Sequence, residues 1–290
     1  MKRVLITGAG SYIGTSFERY INQFDGYQID TVDMIDGSWR KKSFNGYDSV
    51  FHVAGIAHSD TGKVSEERKQ FYYKINTDLT IETAKKAKEA GVGQFIFMSS
   101  AIVYGDSAPI GELRRITCDT PVSPANFYGD SKFQAENGLL KLADNSFHVV
   151  IMRPPMIYGK DSKGNYPQLS KFAQKLPLFP NVENERSMLY IGNLTEFVKL
   201  MIDNDESGVF HPQNSEYVAT SDMVKAIAHA HGKKIRLLKG TTVPLKAMSH
   251  VTGLVNKAFG NLSYDMSLSE YKQNYRKFSF EESIKQTEVE

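Results

Sequence analysis

The run Val4-Leu5-Ile6-Thr7-Gly8-Ala9-Gly10-Ser11-Tyr12-Ile13-Gly14 decides how this chain of 290 residues is read. Three apolar residues lead straight into glycines, as a buried parallel strand entering a tight turn should. Behind the turn, Ile13, Phe17, Tyr20, Ile21 and Phe24 recur at helical spacing, so a helix is expected over 14–24. Strand, glycine-rich turn and helix together make a phosphate site. The turn glycines let the backbone approach a pyrophosphate, and the helix N-terminus offers free N–H groups and a positive dipole end. The spacing is unusual, because G-x-G-x-x-G would place its third glycine at position 13, whereas Ile13 stands there and the glycine arrives at Gly14.

The alternation continues downstream. Tyr27–Val32 reads as a second strand closed by Asp33, and Ser49–Val53 as a third stopped by Ala54-Gly55. A long helix is expected over 70–90, ending at Gly91, then a strand over 94–98, a helix over 126–144 and a strand over 148–152. Strand and helix alternating in this way predict an α/β fold with a doubly wound parallel (Rossmann) sheet. After Arg153-Pro154-Pro155 the texture changes, with Gly, Pro, Asn and Lys frequent up to Asn184 and helical stretches at 193–202 and 220–231. The expected division is a dinucleotide-binding Rossmann domain over 1–155 and a smaller mixed α/β lobe over 156–290, mainly for substrate. Residues at about 190–212 are expected to return to the sheet.

Composition limits the partners. The net charge is +2, so the chain as a whole offers no electrostatic reason for nucleic acid or a membrane surface. The basic runs Arg40-Lys41-Lys42, Lys85-Lys86 and Lys233-Lys234 read as solvated faces. The single cysteine, Cys118, excludes an internal disulfide framework and suits a reducing compartment. Neither a long apolar span nor a leader-like N-terminus stands out, and a cytoplasmic protein is expected. His52, inside a strand, reads as a core histidine. His229 and His231, two apart near a helix end, do not face each other, and no metal site is expected.

Two motifs carry chemistry. Asp33 closes the second strand, where a carboxylate accepts hydrogen bonds from the adenosine ribose and repels a 2′-phosphate, so NAD is expected in preference to NADP. Tyr128-Gly129-Asp130-Ser131-Lys132 places a phenol and an ammonium one helical turn apart. Bringing a tyrosine from about 10 towards neutrality takes roughly 4 kcal/mol. A cation about 4 Å away supplies on the order of 4 kcal/mol at an effective dielectric of about 20. Lys132, helped by the positive charge of an oxidised nicotinamide, is therefore expected to make Tyr128 a base. Ser99-Ser100 at the end of the fourth strand strengthens the reading, since catalytic groups gather at the carboxyl ends of such strands.

Taken together, T7-G-A-G-S-Y-I-G14, Asp33, D48-S-V-F-H-V-A-G55, Asn76, S99-S-A-I-V-Y-G105, Y128-G-D-S-K132 and R153-P-P-M-I-Y-G159 resemble the extended short-chain dehydrogenase/reductases. Within them the chain is similar to the NAD-dependent epimerase/dehydratase family, which works on nucleotide sugars. The resemblance extends through R186-S-M-L-Y-I-G-N-L194 and G208-V-F-H-P-Q-N214 to F278-S-F-E-E-S-I284. Gly8 and Gly14 fall on the ends of the family's T-G-x-x-G-x-x-G turn, with Ser11 in place of the middle glycine and an added Gly10. The resemblance implies cofactor contacts from Gly8, Gly10, Ser11, Tyr12, Ile13, Gly14, Asp33, Ala54, Gly55, Asn76, Tyr128, Lys132 and Pro154. It makes Ser100, Tyr128 and Lys132 catalytic, Ser100 bonding the substrate oxygen that Tyr128 deprotonates, and gives Arg186 the nucleotide diphosphate. A salt bridge from Arg186 to Glu183 or Glu185 is the alternative. The adenine side departs from the family pattern: Asp33 to Asp48 is short, and Ser38-Trp39-Arg40 stands where an acidic-aliphatic pair is usual. Trp39 is left either packing on adenine or anchoring the surface.

Ala101-Ile102 follow Ser100 where the family's dehydratases carry Asp-Glu, which argues against 4,6-dehydration. The expected reaction is 4-epimerisation of a UDP-hexose or UDP-N-acetylhexosamine through a 4-keto sugar, with NAD as cofactor and a homodimer as the assembly. An NAD(P)H-dependent 4-keto-sugar reductase of surface-polysaccharide synthesis remains the alternative, with a non-catalytic NAD-binding scaffold behind it.

Overall fold

The computed structural model describes residues 1–56, 64–249 and 253–289. They form two compact units, the first made of residues 1–105, 122–154 and 194–211, the second of 106–121, 155–193 and 212–290.

The first unit is built on a six-stranded sheet. Its strands β1 (Lys2–Thr7), β2 (Tyr27–Val32), β3 (Ser49–His52) and β4 (Gln94–Met98) are followed in the chain by His148–Met152 and Gly208–Phe210. From one edge to the other the order is Gly208–Phe210, His148–Met152, β4, β3, β1, β2, and every pairing is parallel. β3 and β4 are buried along their whole length, as strands covered on both faces should be. From β1 the chain steps outward to β2, then crosses back to place β3 on the opposite side of β1. That reversal opens a crevice at the carboxyl ends of β1 and β3, where a doubly wound sheet binds its ligand. The core beside it joins Leu5, Val50, Phe95, Phe97, Val149 and Ile151.

Four helices position the site: α1 (Tyr12–Ile21), α2 (Glu66–Tyr73), α3 (Leu79–Glu89) and α4 (Phe127–Leu140). The single helix expected over 70–90 is instead α2 and α3 joined by a π-helical turn at Lys74–Asp78, and it starts earlier because Ser65 caps it by accepting from Arg68 N. The widened turn carries Asn76, whose side chain is tied outside the helix, and such bulges recur at functional sites. The short link from β2 to β3 holds only a 3-10 turn at Ser38–Lys41. Trp39 plugs the core there at 1% exposure, 6.4 Å from Phe44 between ring centroids, so it is neither an adenine platform nor a surface anchor.

In the second unit the helices Tyr166–Lys175 and Thr220–Ala230 pack together, and small parallel ladders join Met156–Tyr158 to Met188–Tyr190 and Leu178–Pro180 to Arg236–Leu238. The terminal helix runs Phe280–Glu288 behind a capping box of Ser279 and Glu282. Among the described residues no helix is long and apolar enough to cross a membrane.

Candidate active site

The glycine turn is held by the strands around it. Gly8 N and Ala9 N both donate to Val32 O, at 2.9 and 3.1 Å, which ties the loop to the end of β2. Gly8 has φ of +93°, and a Cβ there would lie 2.9 Å from Ala54 N, so neither the backbone nor the space admits a side chain. Ser11 is the N-cap of α1, its hydroxyl accepting from Gly14 N at 3.2 Å. Gly14 is packed as tightly, since a Cβ would meet Ser11 Oγ at 2.7 Å and Ile6 Cγ2 at 3.2 Å. Ser11 thus replaces a glycine without closing the turn, and Tyr12 and Ile13 present the first N–H groups of the helix.

Asp33 is exposed at the end of β2, with Oδ1 accepting from Ile35 N at 2.8 Å. On the other side of β1, Ala54 is buried against Gly8, and Gly55 borders two functional side chains. A Cβ on Gly55 would lie 3.0 Å from Asn76 Oδ1 and 3.2 Å from Lys132 Nζ. Asn76 is fully buried, accepts from Ile56 N at 2.8 Å, and donates to Ile56 O at 3.2 Å and Ser131 Oγ at 3.1 Å. Both amide hydrogens are engaged, so Asn76 clamps the end of β3 to α4. Pro154 O accepts from Ala101 N at 2.9 Å and fixes the turn after Ser100.

That turn, Ala101–Tyr104, starts at Ser100, whose Oγ accepts from Ile102 N at 3.3 Å. α4 approaches it closely because residue 129 is glycine: a Cβ would come within 2.8 Å of Ile102 O. The close approach sets Ser100 beside the Tyr128 phenol, whose pKa it lowers. Lys132, one turn further along α4, is buried and donates to Met98 O at 2.9 Å, beneath the Phe97 ring at 4.7 Å. Ser100, Tyr128 and Lys132 are therefore brought together at the carboxyl end of β4.

The electrostatics differ from the expectation. Burial pushes the Tyr128 phenol up to about 12, against the downward pull of the Ser100 hydrogen bond. Burial also pulls the Lys132 ammonium down to about 8, partly opposed by the Glu136 carboxylate. Desolvation, which the sequence could not display, is the largest influence on both groups. A base near neutrality at Tyr128 therefore needs the nicotinamide charge as well as Lys132.

Sequence reasoning missed the residues that support this cluster. Glu136 lies one turn beyond Lys132, so Tyr128, Lys132 and Glu136 share a face of α4. It is 1% exposed, accepts from Ser99 Oγ at 2.5 Å and forms a fork with Arg153 at 3.1 and 2.6 Å. Arg153 also donates to Tyr104 Oη at 2.7 Å, which meets His211 Nε2 at 2.8 Å. The only sequence signal was the repeated four-residue step from Tyr128 to Lys132 to Glu136. Tyr72, fully buried, sets its ring edge-on to Tyr128 with centroids 6.1 Å apart.

Arg186 belongs to the second unit, where its Nη1 donates to Ala258 O at 3.0 Å and burial lowers its pKa. Glu185 is engaged by Arg115 at 2.7 Å. His52 bridges Thr7 Oγ1 at 2.7 Å and Thr80 Oγ1 at 3.0 Å inside the sheet, and His231 meets Glu288 at 2.6 Å. Cys118 is exposed, and no group of metal-ligating side chains occurs among the described residues.

The residues at the crevice fit a dinucleotide: a turn whose Gly8 leaves no room for a side chain, a capped helix N-terminus, and a carboxylate closing β2. Proton handling at Tyr128 beside such a turn is the chemistry of a nicotinamide-dependent enzyme. The chain belongs to the NAD dependent epimerase/dehydratase family, whose model matches residues 4–219, and NAD is its cofactor. It is 29% identical to a UDP-glucose 4-epimerase of Vibrio cholerae, over 92% of this chain and 88% of the relative. It is 28% identical to the N-acetyl-α-D-glucosaminyl-diphospho-ditrans,octacis-undecaprenol 4-epimerase of Escherichia coli O157:H7, over 80% of this chain and 73% of that one. The fold is shared with the UDP-glucuronic acid 4-epimerase of Bacillus cereus, solved with NAD, at TM-score 0.71 and 17% identity, covering 98% of this chain and 96% of the other.

Proposed function

We propose that this protein is a 4-epimerase of a UDP-hexose or UDP-N-acetylhexosamine. The observation that carries the reading is the close approach of α4 to the turn after Ser100 at Gly129, which sets Tyr128 beside Ser100 with Lys132 buried one turn away, next to a turn that fits a dinucleotide. In this reading Tyr128 takes the proton of the sugar C4 hydroxyl and later returns one. Ser100 holds the same oxygen, and Lys132 supplies positive charge and a donor to the nicotinamide ribose. NAD, when bound, accepts a hydride and gives it back. Gly8, Gly10, Ser11, Tyr12, Ile13 and Gly14 seat the pyrophosphate, Asp33 the adenosine ribose, and Ala54, Gly55 and Pro154 line the nicotinamide side, with Asn76 holding them in place. Arg186 is assigned to the nucleotide diphosphate. Ala101-Ile102 offer neither an acid nor a base next to Ser100, which disfavours elimination.

Two relatives whose names specify 4-epimerisation, of UDP-glucose and of a diphosphate-linked N-acetylglucosamine, support the reading. A homodimer in the cytoplasm is proposed with it. The test is to denature the purified protein, identify the nucleotide released, and incubate native protein with UDP-glucose and UDP-N-acetylglucosamine without added cofactor. Released NAD and conversion to the galacto sugars are expected. Protein that lacks NAD and consumes NADH with a nucleotide 4-keto sugar would be a reductase instead.

A further inference from the structure

The charge of this chain is unevenly distributed. Between Met223 and Tyr264 the sequence has seven lysines and arginines and no aspartate or glutamate, leaving 28 basic against 33 acidic residues elsewhere. A total of +2 conceals this stretch, and it was the total that spoke against a membrane surface. Acidic neighbours normally interrupt such a field, and this stretch contributes none of its own.

The stretch also exposes apolar side chains among its basic ones. In the helix Thr242–Ser249, Val243, Pro244, Ala247 and Met248 all face solvent. They stand as two i, i+4 pairs side by side, which makes one continuous stripe on the outside of the helix, with Val243 78% and Met248 53% exposed. Lys246 lies beside it. Just before the helix, Arg236–Leu238 pairs in parallel with Leu178–Pro180, Arg236 opposite Leu178 and Leu238 opposite Pro180. Alternation puts these four on one face of the ladder, and Leu178 and Leu238 are exposed there. Lys233 continues the basic character into two neighbouring depressions. One, of about 580 Å³, adds Lys160, Lys171 and Lys175; the other, of about 830 Å³, adds Lys225, Lys234 and Lys285. The acids there are Asp161 and Glu288 in the first and Asp222 and Glu281 in the second, and Glu288 is already engaged by His231 and Ser170.

We propose that the exposed segment from Lys233 through Arg236–Leu238 to the helix Thr242–Ser249, in the second unit, docks on an anionic lipid bilayer. Lysines and arginines interleaved with exposed aliphatic side chains are what such a surface recognises. The cations meet the headgroup phosphates, their methylene stems lie along the acyl boundary, and the aliphatic stripe enters it shallowly. A polyanion such as nucleic acid would reward the lysines but not Val243 or Met248. The docking holds the enzyme at the membrane by surface contact, without a spanning helix.

The test is flotation of the purified full chain with phosphatidylcholine vesicles, with and without phosphatidylglycerol. Retention is expected only with phosphatidylglycerol. It should be lost as salt rises from about 0.1 M to about 1 M and the Debye length contracts from about 10 Å to about 3 Å. Replacing two lysines by Lys239→Gln with Lys246→Gln should weaken retention roughly 30-fold. Val243→Asp with Met248→Asp should abolish it, and thermal unfolding should stay unchanged in both variants. If a double variant melts early, Lys233→Gln with Lys234→Gln replaces it, with the same weakening expected. No retention with phosphatidylglycerol, equal retention on both vesicles, or retention untouched by these variants would overturn the proposal. So would equally tight binding of an oligonucleotide that Val243→Asp with Met248→Asp leaves intact.

Discussion

The Glu136 carboxylate and the Arg153 guanidinium lie 2.6 Å apart with 1% and 10% of their side chains exposed, behind the residues that meet at the carboxyl end of β4. Glu136 also holds Ser99 Oγ and opposes the fall in the Lys132 pKa. One carboxylate thus fixes the end of β4, anchors Arg153 just after the strand His148–Met152 and adjusts the charge on the same face of α4. Removing one partner of a buried pair leaves the other uncompensated. Glu136→Ala is therefore expected to destabilise the protein by roughly 3–5 kcal/mol, read as a fall in the urea midpoint. An unchanged midpoint would mean that Arg153 finds another partner.

Ser100 sets how far the Tyr128 phenol must be brought down. Its hydrogen bond is the influence that lowers a pKa which burial raises to about 12. Ser100→Ala should therefore move the alkaline rise of the rate to higher pH and reduce turnover at neutral pH. Tyr128→Phe should cost about 100-fold or more at every pH while leaving NAD binding nearly intact. A pH profile of turnover for both variants, with NAD content measured in parallel, separates the two roles. Wild-type turnover in Tyr128→Phe would remove the proposed base.

Asp33 stands exposed beside the loop that Val32 holds. Asp33→Ala should weaken NAD about tenfold, close to 1.4 kcal/mol, and NADP less, because the carboxylate that repels a 2′-phosphate is gone. Calorimetric titration of protein stripped of nucleotide checks this. An unchanged preference would place the ribose elsewhere.

His52 is buried neutral between Thr7 and Thr80, and burial pulls its pKa from 6.5 to about 3. The unfolded chain binds this proton below about pH 6.5 and the folded chain does not until about pH 3. Stability from this group is present above the higher value and falls as the pH drops between them, by roughly 2 kcal/mol at about pH 5. His211, pulled to about 4, adds in the same direction. Denaturant titrations at neutral and mildly acid pH should show the loss, and His52→Gln should reduce it.

Much of the first unit was legible because its signals are local. Val4-Leu5-Ile6 and Ser49-Val-Phe-His carry the continuous apolar character of doubly covered strands, and the glycines of the turn declare a backbone that no side chain could follow. The break in the 70–90 helix was not legible, because the π-turn is held by Asn76 reaching Ile56 and Ser131, partners distant in sequence. Trp39 was ambiguous for the same reason: its burial depends on Phe44 and on the core beneath β1 and β3.

By itself, the sequence determined the parallel α/β framework, the family and the residue types available for proton transfer, because periodicity and motif spacing record local conformation and residue identity. Only the tertiary structure decided which way the pKa values move at Tyr128 and Lys132. It also revealed the Glu136–Arg153 pair behind them and the exposed aliphatic stripe of the helix Thr242–Ser249 beside Lys246. Each of these depends on desolvation or on charges summed through space, and neither quantity is carried by residue order alone.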